Sequence, residues 1–348
     1  MSKTPDFKVG SVPEQPNVGP AGMIGRLWSR ALGRLLRLSI DETRVATRGF
    51  SVDSPEMVKR LEGIGASFAH GYNSAIRSAS LNELMSVLQD VPLVDSGFVF
   101  EGAAMGLAVT DWMTPNRRRF EAFVAGPANH HEYMVWVGLG WSFARLPASP
   151  IRALRRYSSI NKWLALDGYG FHEGYFGWRK SISQQRRPRS FVGSEAKVFD
   201  QGLGRSLWFV FGANPIVVAR AIEAFEHDRQ SDLWSGVGLA ASYVGGVDSN
   251  GLTALCNAAG RHAAALGQGV IFAAEARRRA GNAVPHSELA CQMILGLGVP
   301  EAAEVALRYL PPNSHDIESY QRWRLDIQDY CARRQKGTET KTAIGPGE

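Results

Sequence analysis

A short glycine-bearing string recurs in apolar surroundings along the chain: GIGASF at 63–68, GLGWSF at 138–143, GLGRSL at 202–207 and GVGLAA at 236–241. Glycine inside a helix costs up to about 1 kcal/mol relative to alanine, so repeated use of it there needs a compensating gain. Close approach of a second backbone supplies one, and room for a ligand supplies another. A second string, GFVFEGA from Gly97, GYGFHEG from Gly168 and GVIFAAE from Gly269, follows the first at offsets of 34, 30 and 33 residues. Periods of that length mark helix pairs that stack, each burying what its neighbour would expose. Because the spacing between pairs is uneven, the pattern predicts an irregular stack of repeated helix pairs, or two pseudo-related halves, instead of a regular solenoid.

The rest of the chain agrees with an all-α fold. Runs of alternating β-branched residues bounded by turns are hard to find. Helix starts are marked at Ser54-Pro55, Ser149-Pro150 and Asn214-Pro215, and breakers stand at 212–214, Gly245-Gly246, Gly281-Asn282 and Leu310-Pro311-Pro312. Residues 1–20 read as a polar, proline-bearing leader. Two helical halves follow, at 21–183 and 194–335, parted by the QQRRPRS segment, and 336–348 read as a structureless tail. Residues 23–38 make a basic amphipathic helix with Arg26, Arg30, Arg34 and Arg37 on its polar side. It suits packing on its own domain, and it also suits an anionic membrane surface.

Composition narrows the function classes. A hydrophobic fraction of 45% over 348 residues supports a large core and excludes a disordered or fibrous chain. The net charge of +6 comes with no zinc-finger or RNA-binding motif, which argues against a nucleic-acid partner. Cys256, Cys291 and Cys331 lie far apart with no CxxC, as in a reducing compartment. No secretory signal opens the chain, and the longest uncharged run, 233–247, is shorter than the roughly twenty residues of a membrane span. A cytoplasmic protein, at most peripheral to a membrane, is the expectation.

The strings GFVFEGAAMGLA (97–108), LALDGYGFHEGYF (164–176), FDQGLGRSLWFV (199–210), SDLWSGVGLAASYVGG (231–246) and PHSELAC (285–291), taken together, resemble the UnbL-like family of bacterial proteins. The similarity runs from about Leu35 to Leu310. It implies a place in specialised metabolism beside enediyne polyketide synthases, with a membrane-associated partner of electron-transport type. It implies no reaction and no catalytic residues.

Candidate site residues therefore follow from chemistry alone. Asp167, His172 and Glu173 form the densest polar cluster on an apolar helix, among Tyr169, Phe171 and Tyr175. Histidine beside a carboxylate in aromatic surroundings suits general acid or base work, and it equally suits a buried polar lock between helices. At 100° per residue, Asp167 and His172 lie about 140° apart, so they converge only where Gly168, Gly170 or Gly174 bends the helix. Glu101 and Glu275 hold related places in the other copies of the second string. The three glutamates would face one cavity, or each would pair with an arginine such as Arg205 or Arg179. Phe100, Trp208 and Trp234 join the aromatics that would line an apolar tunnel for a lipophilic small molecule, with Arg205 and the acids at its wall. No cofactor is expected: the glycines lack a P-loop Lys-Ser/Thr and a preceding strand. Nor is a metal, since the adjacent His130 and His131 point apart and no HExxH or di-iron pattern is present.

Overall fold

The computed structural model describes residues 36–114 and 118–343, and among these residues there is no strand. Seven helices form the body: α1 (Pro55–Arg77), α2 (Ser96–Met113), α3 (Glu132–Phe143), α4 (Leu164–Phe176), α5 (Ser194–Val210), α6 (His227–Val244) and α7 (Ala263–Ala280). Each packs on the next in chain order. Three more, α8 (Pro285–Leu295), α9 (Val299–Arg308) and α10 (Ile317–Ala343), cover the far end against α7. The proline-marked starts behave as the residues predict. Ser54 accepts from the Met57 amide ahead of α1, and Asn214 accepts from the amides of Ile216 and Val217 ahead of the short helix Pro215–Glu223. Ser149-Pro150 opens a further short helix, Pro150–Leu154, without a side-chain cap.

Neighbouring body helices run in the same direction. Gly102 of α2 lies against Phe68 and Tyr72 of α1, and four residues on, Gly106 lies against Tyr72 and Ala75, so contacts advance together along both helices. Each connection between successive body helices, 16 to 20 residues long and mostly carrying a short helix, returns the chain to its starting end.

The glycines set the register by a simple rule. A Cβ on Gly138, Gly168, Gly202, Gly236 or Gly269 would fall 1.8–2.1 Å from the carbonyl oxygen of Glu101, Val137, Asp167, Gln201 or Ser235 respectively, each the residue just before the preceding helix's packing glycine. The second glycine of each pair faces forward: Gly140, Gly170, Gly204 and Gly238 lie equally close to the carbonyls of Ala165, Phe199, Leu233 and Leu266 on the following helix. One GxG thus serves both neighbours of a helix, and any side chain there would drive two backbones apart.

This rule corrects the reading of two alternating strings. GLGWSF, GYGFHEG, GLGRSL, GVGLAA and the glycine of GVIFAAE are one motif, and the repeat is one body helix with its connection. In α2 the packing glycine is Gly102, not Gly97. GIGASF stands outside the series, because Gly63 is exposed with nothing near its Cβ position and Gly65 faces Thr43.

The segment 184–193, read as a boundary between halves, joins α4 to α5 across one of these glycine contacts, and a single hydrophobic core lies on both sides of it. The leader and most of the basic helix lie outside the described residues. Residues 36–38 are described and are not helical, and Leu38 is held by the Asn73 side chain through its amide (3.0 Å) and carbonyl (2.9 Å). The segment Leu93–Met113 is long and apolar enough to cross a membrane, yet 83% of its apolar window is buried, as befits a helix at the centre of a stack. The helix α10 continues past Gln335, where the polar tail was expected, as far as Ala343.

Candidate functional site

The register that seats the glycines also lines up the residues just before them, at 101, 137, 167, 201, 235 and 268. Four of these make a buried polar ladder across α4 to α7. Gln201 Nε2 donates to Asp167 Oδ2 at 2.7 Å, and Ser235 Oγ lies 3.1 Å from Gln201 Oε1 and 2.7 Å from Gln268 Oε1. A hydroxyl has one proton, so Ser235 cannot donate to both amides at once; turning the Gln268 amide over would make its Nε2 the donor to Ser235, in exchange for the 3.5 Å bond that Gln328 Nε2 donates to Gln268 Oε1. Asp167, fully buried, also pairs with the guanidinium of Arg205, which lies over the Phe171 ring with its carbon 4.6 Å from the ring centre.

The ladder breaks at Val137. On its far side, Glu101 of α2 is 1% exposed, and its Oε1 has no hydrogen-bond partner. Burial pushes the Glu101 carboxyl up to about 8, against the pull of Arg205 and with a further push from Asp167. The Trp141 indole N–H favours the carboxylate weakly, without meeting hydrogen-bond geometry. Glu101 is therefore predominantly a neutral carboxylic acid at pH 7.

It stands in the wall of a small cavity of about 30 Å³, room for a water or two. The other walls are Leu38, Thr43 and Ile64, with Phe68, Phe98, Trp141, Phe171, Tyr175, Phe176 and Phe209 supplying seven aromatic rings from α1 to α5. Glu101 is the one ionisable acid or base among them apart from the Tyr175 phenol, whose hydroxyl donates to the Thr43 carbonyl at 3.3 Å. This apolar, aromatic lining favours uncharged hydrophobic groups, because a charge brought there would lose its hydration without a partner.

The cluster on α4 is divided. Asp167 faces α5, while His172 faces Trp141, Phe176 and Arg145. The glycines between them seat neighbouring helices, and α4 runs unbroken from Leu164 to Phe176, so the three residues do not converge. Arg145 Nε, which can only donate, lies 3.1 Å from His172 Nε2; the ring proton is therefore on Nδ1, donating to Glu173 Oε1 at 3.2 Å. Burial lowers the His172 pKa, with its Glu173 bond opposing and Arg145 assisting, so the ring is neutral with both nitrogens engaged.

The three glutamates do not share the cavity. Glu173 lies near the surface at 35% side-chain exposure, and Glu275 is held by Arg278 of its own helix at 2.7 and 3.0 Å. The structural counterpart of Glu101 is Asp167, one residue before the packing glycine.

Of the expected lining residues, Phe171 and Tyr175 reach the cavity. Arg205 borders a smaller crevice with Tyr133 and Tyr243. Phe100 stacks on Phe123 and His131, Tyr169 packs on Phe191 and Phe199, and the Trp208 indole donates to the Gly245 carbonyl at 2.9 Å. Trp234 is a buried core residue and is not in the cavity wall. Trp141, Phe68, Phe98, Phe176 and Phe209 were missed. The available signal was Glu101 itself, an acid alone among the thirteen other residues, all apolar or small, from 96 to 109. Its true equivalents at 167, 201, 235 and 268 recur every 33 or 34 residues.

Among the described residues no cluster of His, Cys, Asp and Glu could hold a metal ion. His131 packs on Phe100, and His286 lies 3.1 Å from the Tyr243 carbonyl. Cys256, Cys291 and Cys331 are free.

No curated protein and no solved structure matches the chain. The model of a family described as a protein of unknown function, DUF1702, matches residues 27–331, nearly all of the stack described above, and the chain belongs to that family.

Proposed function

We propose that this protein is an accessory protein of bacterial specialised metabolism that binds a lipophilic, polyene-type intermediate in the Glu101 cavity. The observation that carries this reading is the cavity wall: seven aromatic rings around one neutral carboxyl. Flat conjugated chains gain from stacking on such rings, and a chain that parts them to widen the small cavity would lie among apolar groups away from water. The enediyne-type setting and a membrane-associated partner rest on the resemblance of the five strings at 97–108, 164–176, 199–210, 231–246 and 285–291. A cytoplasmic site of action is part of the same proposal.

The test is native mass spectrometry of the protein co-produced with a polyene-forming polyketide synthase. A retained small molecule, released by denaturation and absent from a variant with Ile64→Trp filling the cavity, is the expected result. A protein that stays empty under every condition, in the presence of assembled polyene, would overturn the proposal.

A second reading, a cofactor-independent isomerase or cyclase, is favoured by one observation: a carboxyl that titrates near 8 both gives and takes protons at neutral pH. Its signature is a product of the same mass as the bound molecule, carrying solvent deuterium. Loss of that exchange in Glu101→Gln supports it, and unchanged exchange removes it.

A further inference from the structure

The connection that leaves α4 carries charge of one sign. Residues 177–194 include Arg179, Lys180, Arg186, Arg187 and Arg189 and not one acid. All five are exposed, and among the described residues only Arg187 of the five is ion-paired, with the buried Asp200 at 3.3 Å. The C-terminal dipole of α4 accounts for Arg179 and Lys180, which stand just past its end, but not for Arg186 and Arg189 further along.

The fold gathers these residues and holds them still. The chain turns through a short π-helix, Arg179–Ser183, and the Arg186 amide then donates to the Lys180 carbonyl at 3.0 Å, which closes the loop on itself. Gln185 pins its base, accepting from Arg229 at 2.8 Å through its carbonyl and donating to the Ala224 carbonyl at 2.5 Å through its side chain. Arg145, exposed and not ion-paired among the described residues, lies over the Phe176 ring at 4.7 Å and extends the face toward α3. The exposed Glu223, Glu226 and Asp228 bound it on the α6 side. Two apolar side chains stand among the cations. Trp178 is half-buried, its indole N–H donating inward to the Arg48 carbonyl at 3.0 Å and its ring under the Arg179 guanidinium at 4.6 Å, and Val192 is 67% exposed.

We infer that this face, centred on the connection from α4 to α5, binds the surface of an anionic lipid bilayer, with the guanidinium groups on headgroup phosphates and Trp178 and Val192 in the headgroup layer. Guanidinium forks match phosphate oxygens, and clusters of about four to eight Lys and Arg are drawn to anionic leaflets. Charge alone serves any polyanion; the valine and the tryptophan among the cations favour one with an apolar layer beneath its phosphates. The inference is independent of what the Glu101 cavity holds.

The test is sedimentation of the full chain with vesicles of phosphatidylcholine alone and of equal parts phosphatidylcholine and phosphatidylglycerol. Binding to the anionic vesicles only, weakened by added salt, is the expected result. Each cation at such a surface is worth about fivefold in affinity, about 1 kcal/mol, so Arg179→Gln, Lys180→Gln, Arg186→Gln and Arg189→Gln combined should cost at least about a hundredfold. The same loss of charge at Lys59, Arg308, Arg322 and Arg333, exposed on α1, α9 and α10, should cost no more than about fivefold in all. Failure of the wild type to bind anionic vesicles, equal losses in the two fourfold variants, or unchanged binding in the first would each overturn the inference. Retention on duplex DNA or polyglutamate with none on vesicles would overturn it too. Should the first fourfold variant fail to fold, Arg186→Gln with Arg189→Gln, expected to cost about 25-fold, decides the matter.

Discussion

Glu101 shows at the scale of one residue how burial sets chemistry. Its carboxyl is held near 8 when folded and returns to an ordinary value of about 4.5 when unfolded. The unfolded chain therefore releases this proton first as pH rises, and stability is lost progressively from about pH 4.5 to about pH 8. At about 1.4 kcal/mol per unit, the loss amounts to several kcal/mol. Glu101→Gln is expected to match the wild type in thermal unfolding near pH 4.5 and to exceed it clearly at pH 8.5; identical curves at both values would refute the assignment. The Asp167–Arg205 pair makes a second case. Asp167→Leu leaves a buried guanidinium uncompensated and is expected to cost about 3–5 kcal/mol, whereas Asp167→Leu with Arg205→Met costs less than the two single changes summed. Urea unfolding of the four proteins gives the coupling, and additive losses would show that the pair is not one unit.

Among elements, the glycines carry the argument. An alanine Cβ at Gly236 would lie 1.9 Å from the Gln201 carbonyl oxygen and 2.6 Å from the Arg205 amide nitrogen, so α5 and α6 must separate. Gly236→Ala is expected to lose at least about 2 kcal/mol or to fail to fold. Gly63→Ala, in a string that looks the same, meets nothing and is exposed within α1; the better helix former should gain up to about 1 kcal/mol. Equal effects at the two sites would break the register rule. The contrast marks how far the pattern was legible. That glycines recur in apolar helices, and that helices stack through them, could be read from the residues. Which glycine of a string meets which backbone could not, because GIGASF and GLGWSF share one GxGxSF pattern and differ in what packs against it. The same slip of alignment set Glu101 beside Glu173 when its equivalent is Asp167.

For the molecule as a whole, titrating groups buried in different helices frame a pH window. His131 and His286 are pushed down by burial to about 3 and about 4, so both fold neutral. The unfolded chain protonates them below about 6.5, and stability is lost as the pH falls from there toward the folded values. With Glu101 acting on the alkaline side, these three groups place the greatest stability near pH 6.5, with losses by about pH 4 and by about pH 8. Differential scanning fluorimetry across that range checks the shape. His131→Phe, which keeps the stack on Phe100, should flatten the acid limb alone, and an unchanged acid limb would assign the loss to other groups.

The residues alone determined the fold class. Helix starts at Ser54-Pro55 and Asn214-Pro215, glycine-notched apolar segments and the lack of strand-like alternation are local features, and local sterics and capping decide them. Aromatic abundance near the glycines also pointed toward an apolar pocket, and Phe171 and Tyr175 stand among the rings that line the Glu101 cavity. The tertiary structure decided which acid matters. Asp167, His172 and Glu173 are close in sequence, but the unbroken helix turns Asp167 away from the hydrogen-bonded pair that His172 and Glu173 form. Glu101 and Trp141 meet across two helices. Whether a carboxyl is neutral, paired or bare depends on what the adjacent helix presents at the same height, and in this stack that is set by a backbone register between residues 30 or more positions apart.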